Sequence, residues 1–212
     1  MPKLHPESAY IFRITHVDNV EWILRNGLHC ASSSVLDPDF VEIGSQELIN
    51  KQRHHPVSIA PGGTISDYVR FYFTPWSIML YNIKTGYNGV PRRENREVVI
   101  IVSSLYKVSE MGLDFVFTDH HAYGVESTSY NDLKDLDKID WELLRARNFK
   151  NDPEDPGKKS RYQAEALVHR KVPVEAILGI ICHDDSSQVQ LTRLVQKAGV
   201  STQIKTLPDW YF

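Results

Sequence analysis

Cysteine is scarce. Cys30 and Cys182 are the two in 212 residues and form no C-x-x-C pattern, so neither a disulfide framework nor a zinc ribbon is expected. Long hydrophobic runs are missing as well. The longest lies near residues 98–102, far short of the roughly 20 residues that a membrane-spanning helix needs. Residues 1–10 lack the apolar centre of a secretory signal, and the chain is expected in the cytoplasm. There is no excess of positive charge either: the net charge is −3. That argues against a surface that grips nucleic acid everywhere, while leaving room for a local basic groove. No internal repeat is visible. Neither G-x-G-x-x-G after the first strand nor G-x-x-x-x-G-K-[ST] occurs, which removes the Rossmann and P-loop nucleotide sites.

What is present suffices for a core. With 42% hydrophobic and 24% charged residues, a chain of this length buries a core without metals or cross-links, and residues 1–212 read as one domain. Residues 10–15 alternate β-formers and are predicted as an opening strand. Asp18 is placed as the N-cap of a helix that runs to residue 25 and is stopped by Asn26-Gly27. Residues 30–44 read as loop, 46–53 as a short helix and Pro61-Gly62-Gly63 as a turn. Strands are predicted over 69–74, 96–104, 115–118, 162–168 and 177–182, and helices over 76–83 and 187–198. The polar stretch 151–159 reads as a loop leading into the 162–168 strand. The tail Asp209-Trp210-Tyr211-Phe212 is aromatic enough to be expected against the body. Strands outnumber long helices without a βαβ rhythm, which gives an α+β domain with a mostly antiparallel sheet.

Several residues could carry chemistry. Glu165 lies inside the apolar stretch Gln163-Ala164-Glu165-Ala166-Leu167-Val168, where strand alternation puts Gln163 and Glu165 on one face. A carboxylate there needs a partner or a purpose: a salt bridge to an arginine at a strand end, or a ribose hydroxyl beside a breaking glycosidic bond. Arg13 and Thr15 share a face of the first strand and read either as a sheet-edge pair or as a grip on a ribose or amide. Arg53, in Lys51-Gln52-Arg53-His54-His55, is a solvated helix end or a pyrophosphate clamp. Tyr72 faces away from Phe71 and Phe73, for plain packing or for stacking on nicotinamide. Asp119-His120-His121 and His183-Asp184-Asp185 contain metal-ligand types, but neighbours on an extended chain point apart and no H-x-x-x-H spacing accompanies them. No metal is expected.

Taken in order and spacing, Arg13-Ile14-Thr15-His16 with Asp18-Asn19, Pro61-Gly62-Gly63, Asp67-Tyr68-Val69, Phe71-Tyr72-Phe73 and Met79-Leu80-Tyr81 form a pattern. Phe115-Val116-Phe117-Thr118-Asp119 with His121, the Gln163–Val168 stretch and the closing Asp209-Trp210-Tyr211-Phe212 extend it. Together they resemble the DarT family of DNA ADP-ribosyltransferase toxins. The resemblance implies an ADP-ribosyltransferase-like fold whose two central sheets form a cleft for NAD. It also implies NAD as a substrate, modification of a thymine or guanine in single-stranded DNA, and a macrodomain antitoxin as partner. Carried over by position, Glu165 matches the catalytic glutamate and Arg53 the essential arginine. Arg13, Ile14 and Thr15 match the strand at the nicotinamide end, Tyr72 the aromatic strand beside it, and His121 a histidine that meets the DNA. Trp76 and Ile78 stand where Arg and Pro occur elsewhere in the family, and Lys51-Gln52 where a pair of arginines is common. Further DNA contact is expected from Arg92, Arg93, Arg96, Lys158 and Arg161, which read equally as solvated loop cations. The alternatives are an ADP-ribosyltransferase acting on protein or RNA, a non-catalytic single-stranded nucleic-acid binding module, and a metal-dependent hydrolase built on His120, His121, His183 and Asp184.

Overall fold

The computed structural model describes residues 3–45, 50, 51 and 53–212; the helix expected over 46–53 falls largely outside that set. Ten strands are present among the described residues. They are β1 (Tyr10–His16), β2 (Leu28–His29), β3 (Tyr68–Tyr72), β4 (Val98–Ser104), β5 (Phe115–Thr118), β6 (Ser129–Tyr130), β7 (Glu165–His169), β8 (Lys171–Val172), β9 (Gly179–Cys182) and β10 (Gln203–Thr206). Eight form one sheet in the order β10-β9-β4-β1-β3-β7-β5-β6, and β2 with β8 make a separate ribbon. Apart from the parallel β9–β10 pair, every pairing is antiparallel. The α+β class is as expected.

The sheet is weak at its middle. β1 is paired along its whole length to β4, from Tyr10–Ser104 to His16–Val98, and β3 likewise to β7, from Tyr68–His169 to Tyr72–Glu165. Between β1 and β3, the described register holds only Phe12 opposite Tyr72. Beyond that pair the two halves diverge, and a side chain fills the place of a ladder bond: Arg13 Nη1 donates to the Arg70 carbonyl at 3.0 Å. A backbone acceptor left bare there would carry a desolvation cost.

Alternation sorts the β3–β7–β5 half into two faces. Phe71, Phe73, Phe115, Phe117, Ala166 and Val168 belong to the main core, where Phe73 sits edge-on to both Phe117 and Trp141. The opposite face carries Tyr68 and, opposite one another across β5 and β7, Val116 and Leu167; these belong to a smaller cluster with Val57, Ile65 and Ala122. Arg70, Tyr72, Glu165 and Thr118 share that second face, which therefore forms the floor of a site.

Helices close the flanks. α1 (Val20–Asn26) ends at Gly27, whose φ of 79° suits a residue without Cβ. Asp18 is not its cap; the His16 side chain accepts from the Asp18 N–H and starts a short 3-10 turn ahead of it. α2 (Ile78–Thr85) begins two residues later than expected because the Ser77 hydroxyl accepts from the Leu80 N–H. α3 (Leu105–Glu110) and α4 (Trp141–Ala146) are additions that the sequence pattern did not give. α5 (Lys158–Arg161) takes the place of the end of the expected polar loop, and α6 (Asp185–Ala198) is capped by Asp184. The 162–168 strand is shorter than expected. The turn of α5 carries on through Tyr162, Gln163 and Ala164, whose N–H groups reach back to Lys158, Ser160 and Arg161, so β7 starts at Glu165 itself. The aromatic tail packs down as expected, with Trp210 and Tyr211 each 8% exposed.

Candidate active site

A cavity of about 230 Å³ opens where β1 and β3 part. Arg13 and Ile14 line it from β1, and Tyr68, Val69, Arg70 and Tyr72 from β3. Met79 and Asn82, one turn apart on α2, supply another wall, and Glu42, Ile43, Arg53, His121 and Gln163 come from loops. Ile78 and Asn82, four residues apart and so on one face of α2, flank Met79 on the cavity wall, while Leu80 and Ile83 are buried in the core.

The loop wall has its own support. Asn19, 1% exposed, donates through Nδ2 to the Thr15 hydroxyl and to the Val41 carbonyl, both at 2.9 Å. Its Oδ1 accepts from the Val41 N–H at 2.8 Å. That clamp holds the 41–44 segment, and with it Glu42 and Ile43, beside the cavity. It also occupies Thr15, which is 2% exposed and turned inward rather than toward the opening.

Glu165 opens β7 between Tyr72 on one side and Thr118 on the other. It is 1% exposed. Arg70 holds it in a fork: Nε donates to Oε2 at 2.8 Å and Nη2 to Oε1 at 2.9 Å, with Nη2 also within 2.7 Å of Oε2 as an ion pair. The Nε2 of His121 stands 3.8 Å from Oε1. The partner foreseen for this carboxylate at a strand end is thus an arginine within β3. Sequence reasoning passed over Arg70, yet its signal was available, since it shares a face with Tyr72 in an otherwise aromatic and apolar strand.

The charges are close enough to set one another. Burial alone would lower the Arg70 guanidinium, but the Glu165 charge and the hydrogen bonds to it raise it. Arg13 is held below its usual value by burial, with Glu42 opposing and the Arg70 charge adding to the shift. The Tyr72 phenol is pushed up to about 12, first by burial and then by Glu165, against the pull of Arg70 and Arg13. It is therefore neutral in the physiological range. Arg13, Arg53 and Arg70 stand on the wall with Glu42, Arg70 being paired to Glu165, and Tyr72 lines the same cavity.

A family profile described as "ssDNA thymidine ADP-ribosyltransferase, DarT" matches residues 12–212. The chain belongs to the DarT family of DNA ADP-ribosyltransferases. A DarT-family relative from Escherichia coli O127:H6, described as a DNA ADP-ribosyl transferase, is 47% identical over 209 residues, covering 99% of this chain and 96% of its own. The solved DarT of Thermus sp. 2.9 in complex with ADP-ribosylated single-stranded DNA superposes with a TM-score of 0.90 at 28% identity, covering all of both chains. The same Thermus DarT in complex with NAD+ gives 0.84 at 29% identity, over 98% of this chain and all of the other. As a DarT-family enzyme, the chain uses NAD as a substrate and carries the ADP-ribosyltransferase-like fold.

The structure gathers Arg13, Ile14, Arg53, Tyr72 and His121 around the cavity, with Glu165 behind Arg70. The other cations stand elsewhere. Arg92 and Arg96 are exposed, beyond the end of α2. Arg93 pairs with Glu97 at 3.4 Å and Lys158 with Asp152 at 3.3 Å. Arg161 reaches Asp155 at 2.6 Å and Asp140 at 3.1 Å. His120 Nδ1 contacts Asp119 at 2.8 Å, and His183 stands 3.8 Å from Asp184. Among the described residues, no three His, Cys, Asp or Glu side chains gather as a metal-binding group, and no helix is long and apolar enough to cross a membrane.

Proposed function

We propose that NAD enters the opening between β1 and β3 and that its ADP-ribose is transferred to thymidine in single-stranded DNA. The observation that carries this reading is the joint placement of Arg13, Arg53, Tyr72 and His121 on one cavity, with Glu165 directly opposite Tyr72 across β3 and β7. In this reading the nicotinamide ring lies against Tyr72, beside the strand that carries Arg13, Ile14 and Thr15, and the diphosphate meets Arg53. Thr15 contributes through Asn19 rather than by contact.

Glu165 accepts a hydroxyl of the nicotinamide ribose and stabilises the positive charge that develops as the C1′–nitrogen bond breaks. Nicotinamide leaves with the bonding electron pair. The thymine ring nitrogen N3 then forms the new bond to C1′ and gives its proton to the Glu165 carboxylate or to water. In a duplex that N–H is engaged in pairing, so an unpaired base is the accessible acceptor. His121, at the cavity and close to Glu165, is placed to meet the incoming DNA. Arg92, Arg93, Arg96, Lys158 and Arg161 are assigned to its phosphates. The family description supports thymidine over guanine.

The wider setting is part of the same proposal. Residues 1–212 act as one ADP-ribosyltransferase domain, supported by a main core that draws on residues from Leu4 to Tyr211. The family resemblance supports a toxin that works in the bacterial cytoplasm and is countered by a macrodomain antitoxin that removes the mark. Labelled NAD offered with separate pools of single-stranded DNA, duplex DNA, RNA and protein tests the acceptor. Label on single-stranded DNA is the expected outcome, and label on protein or RNA alone contradicts it.

A further inference from the structure

Glu165 is 1% exposed, and this inference rests on its assignment to the sugar hydroxyl. Arg70 lines the cavity and donates one hydrogen bond to each carboxylate oxygen, Nε to Oε2 and Nη2 to Oε1. A carboxylate has about four acceptor positions. Arg70 takes one on each oxygen, and of the two oxygens it is Oε1 that has His121 Nε2 as a neighbour, at 3.8 Å. His121 itself lines the cavity. The open position on Oε1 thus lies on the side of a residue that lines the cavity.

We propose that Arg70 is a positioning residue for the transfer: its fork fixes the orientation of the Glu165 carboxylate and leaves the Oε1 position on the His121 side to take the sugar hydroxyl. Arg70 is well placed to be rigid. Its carbonyl is held by Arg13 Nη1 at 3.0 Å and its strand position is paired to Leu167 of β7. A planar guanidinium bonded through Nε and Nη2 sets the plane of a carboxylate as a point-charge ammonium does not. Arg53 remains on the cavity for the diphosphate and Arg13 at the nicotinamide end, so Arg70 is not needed as an NAD ligand. Misplacing a reacting group by about an ångström costs on the order of a hundredfold in rate.

The test is a kinetic comparison of Arg70→Gln, Arg70→Lys, Glu165→Gln and the double variant Arg70→Gln/Glu165→Gln. Transfer to a thymidine-containing single-stranded oligonucleotide is followed as NAD is varied. For Arg70→Gln we expect kcat to fall about a hundredfold with the NAD KM within about threefold of the parent. Arg70→Lys keeps the charge without the fork and recovers only part of the rate. The double variant is expected to be no slower than Glu165→Gln alone, because Arg70 acts through that carboxylate.

A rise in NAD KM with kcat kept would make Arg70 a ligand for NAD and overturn the proposal. Independent, multiplying losses in the double variant would overturn it as well. If thermal melting shows that Arg70→Gln does not fold, the kcat–KM split in Arg70→Lys decides alone. Full transfer by Glu165→Gln refutes the underlying site, whereas an inactive Glu165→Gln beside Arg70 variants with parental kcat refutes only this inference.

Discussion

Tyr72 and Glu165 face one another across β3 and β7, one offering a neutral ring and the other a charge. Replacing Glu165 by Gln keeps the shape and removes the charge; the account predicts at least a hundredfold loss of transfer rate, the scale of one electrostatic group at a developing charge. NAD affinity, read by calorimetry, should stay within a few-fold of the parent. Because the Tyr72 phenol is pushed up to about 12, it stays protonated at any working pH. Tyr72→Phe should therefore leave the pH–rate profile unchanged, whereas Tyr72→Ala loses a stacking surface and should raise the NAD KM about tenfold. A shifted alkaline limb in Tyr72→Phe would contradict this. Tyr72 was legible because Phe-Tyr-Phe alternation settles which ring points away from the core. The same alternation put Arg70 on the Tyr72 face, but only the fold says that Glu165, ninety-five positions later, lies diagonal to it. Thr15 was misplaced for a similar reason. Its hydroxyl is taken by Asn19, an interaction created by the turn after β1 and absent from the strand period.

Elements decide where the cavity is and what shapes it. The clamp on the 41–44 segment predicts that Asn19→Ala raises the NAD KM more than it lowers kcat, and costs about 2 kcal/mol of stability for partners left unsatisfied in the interior; urea unfolding and steady-state kinetics read the two. At the start of α6, the Asp184 carboxylate is lowered to about 2, first by the Ser186 hydroxyl and then by the Ser187 N–H. A carboxyl depressed in the folded state stabilises above its ordinary value of about 4 and loses that contribution as pH falls toward 2. Asp184→Ala should therefore lower stability at neutral pH by the roughly 1 kcal/mol typical of a lost N-cap, read as a lower Tm, with the gap to the parent closing below about pH 3.

Legibility at this scale followed burial. β5 matched residue for residue, since the apolar Phe115-Val116-Phe117-Thr118 run is bounded by Asp114 and Asp119. β10 left no such signal: Gln203 and Lys205 are exposed, Ile204 and Thr206 only half-buried, and its parallel place beside β9 comes from α6 returning the chain. The small residues Ala164 and Ala166 mimicked one continuous strand where a turn ends and β7 begins. The family resemblance implied a cleft between two sheets, but the parting of β1 from β3 within one sheet was not foreseen, because no local pattern encodes two strands diverging after a single pair.

For the whole molecule the tension is between a net charge of −3 and a polyanionic substrate. Binding must come from local cations, and it should be modest and weaken with salt. Of those assigned to DNA, Arg92 and Arg96 are exposed while Lys158 and Arg161 already hold acidic partners. Arg92→Glu with Arg96→Glu should thus weaken single-stranded DNA binding across all sequences, lowering the log–log salt slope by about 0.7 for each phosphate no longer neutralised, as followed by fluorescence anisotropy. Arg161→Ala should lower Tm as well, since Asp140 and Asp155 lose their partner; an unchanged salt slope in the double charge reversal would remove that patch from the DNA path. In the proposed reaction a carboxylate behind a cleft between two diverging strands drives ADP-ribose onto thymidine. Mass spectrometry of single-stranded oligonucleotides after reaction with NAD tests it most directly. The account predicts a gain of one ADP-ribose on oligonucleotides whose only reactive base is thymine, absent with Glu165→Gln; adducts on guanine-only oligonucleotides alone, or undiminished adducts with Glu165→Gln, would contradict it.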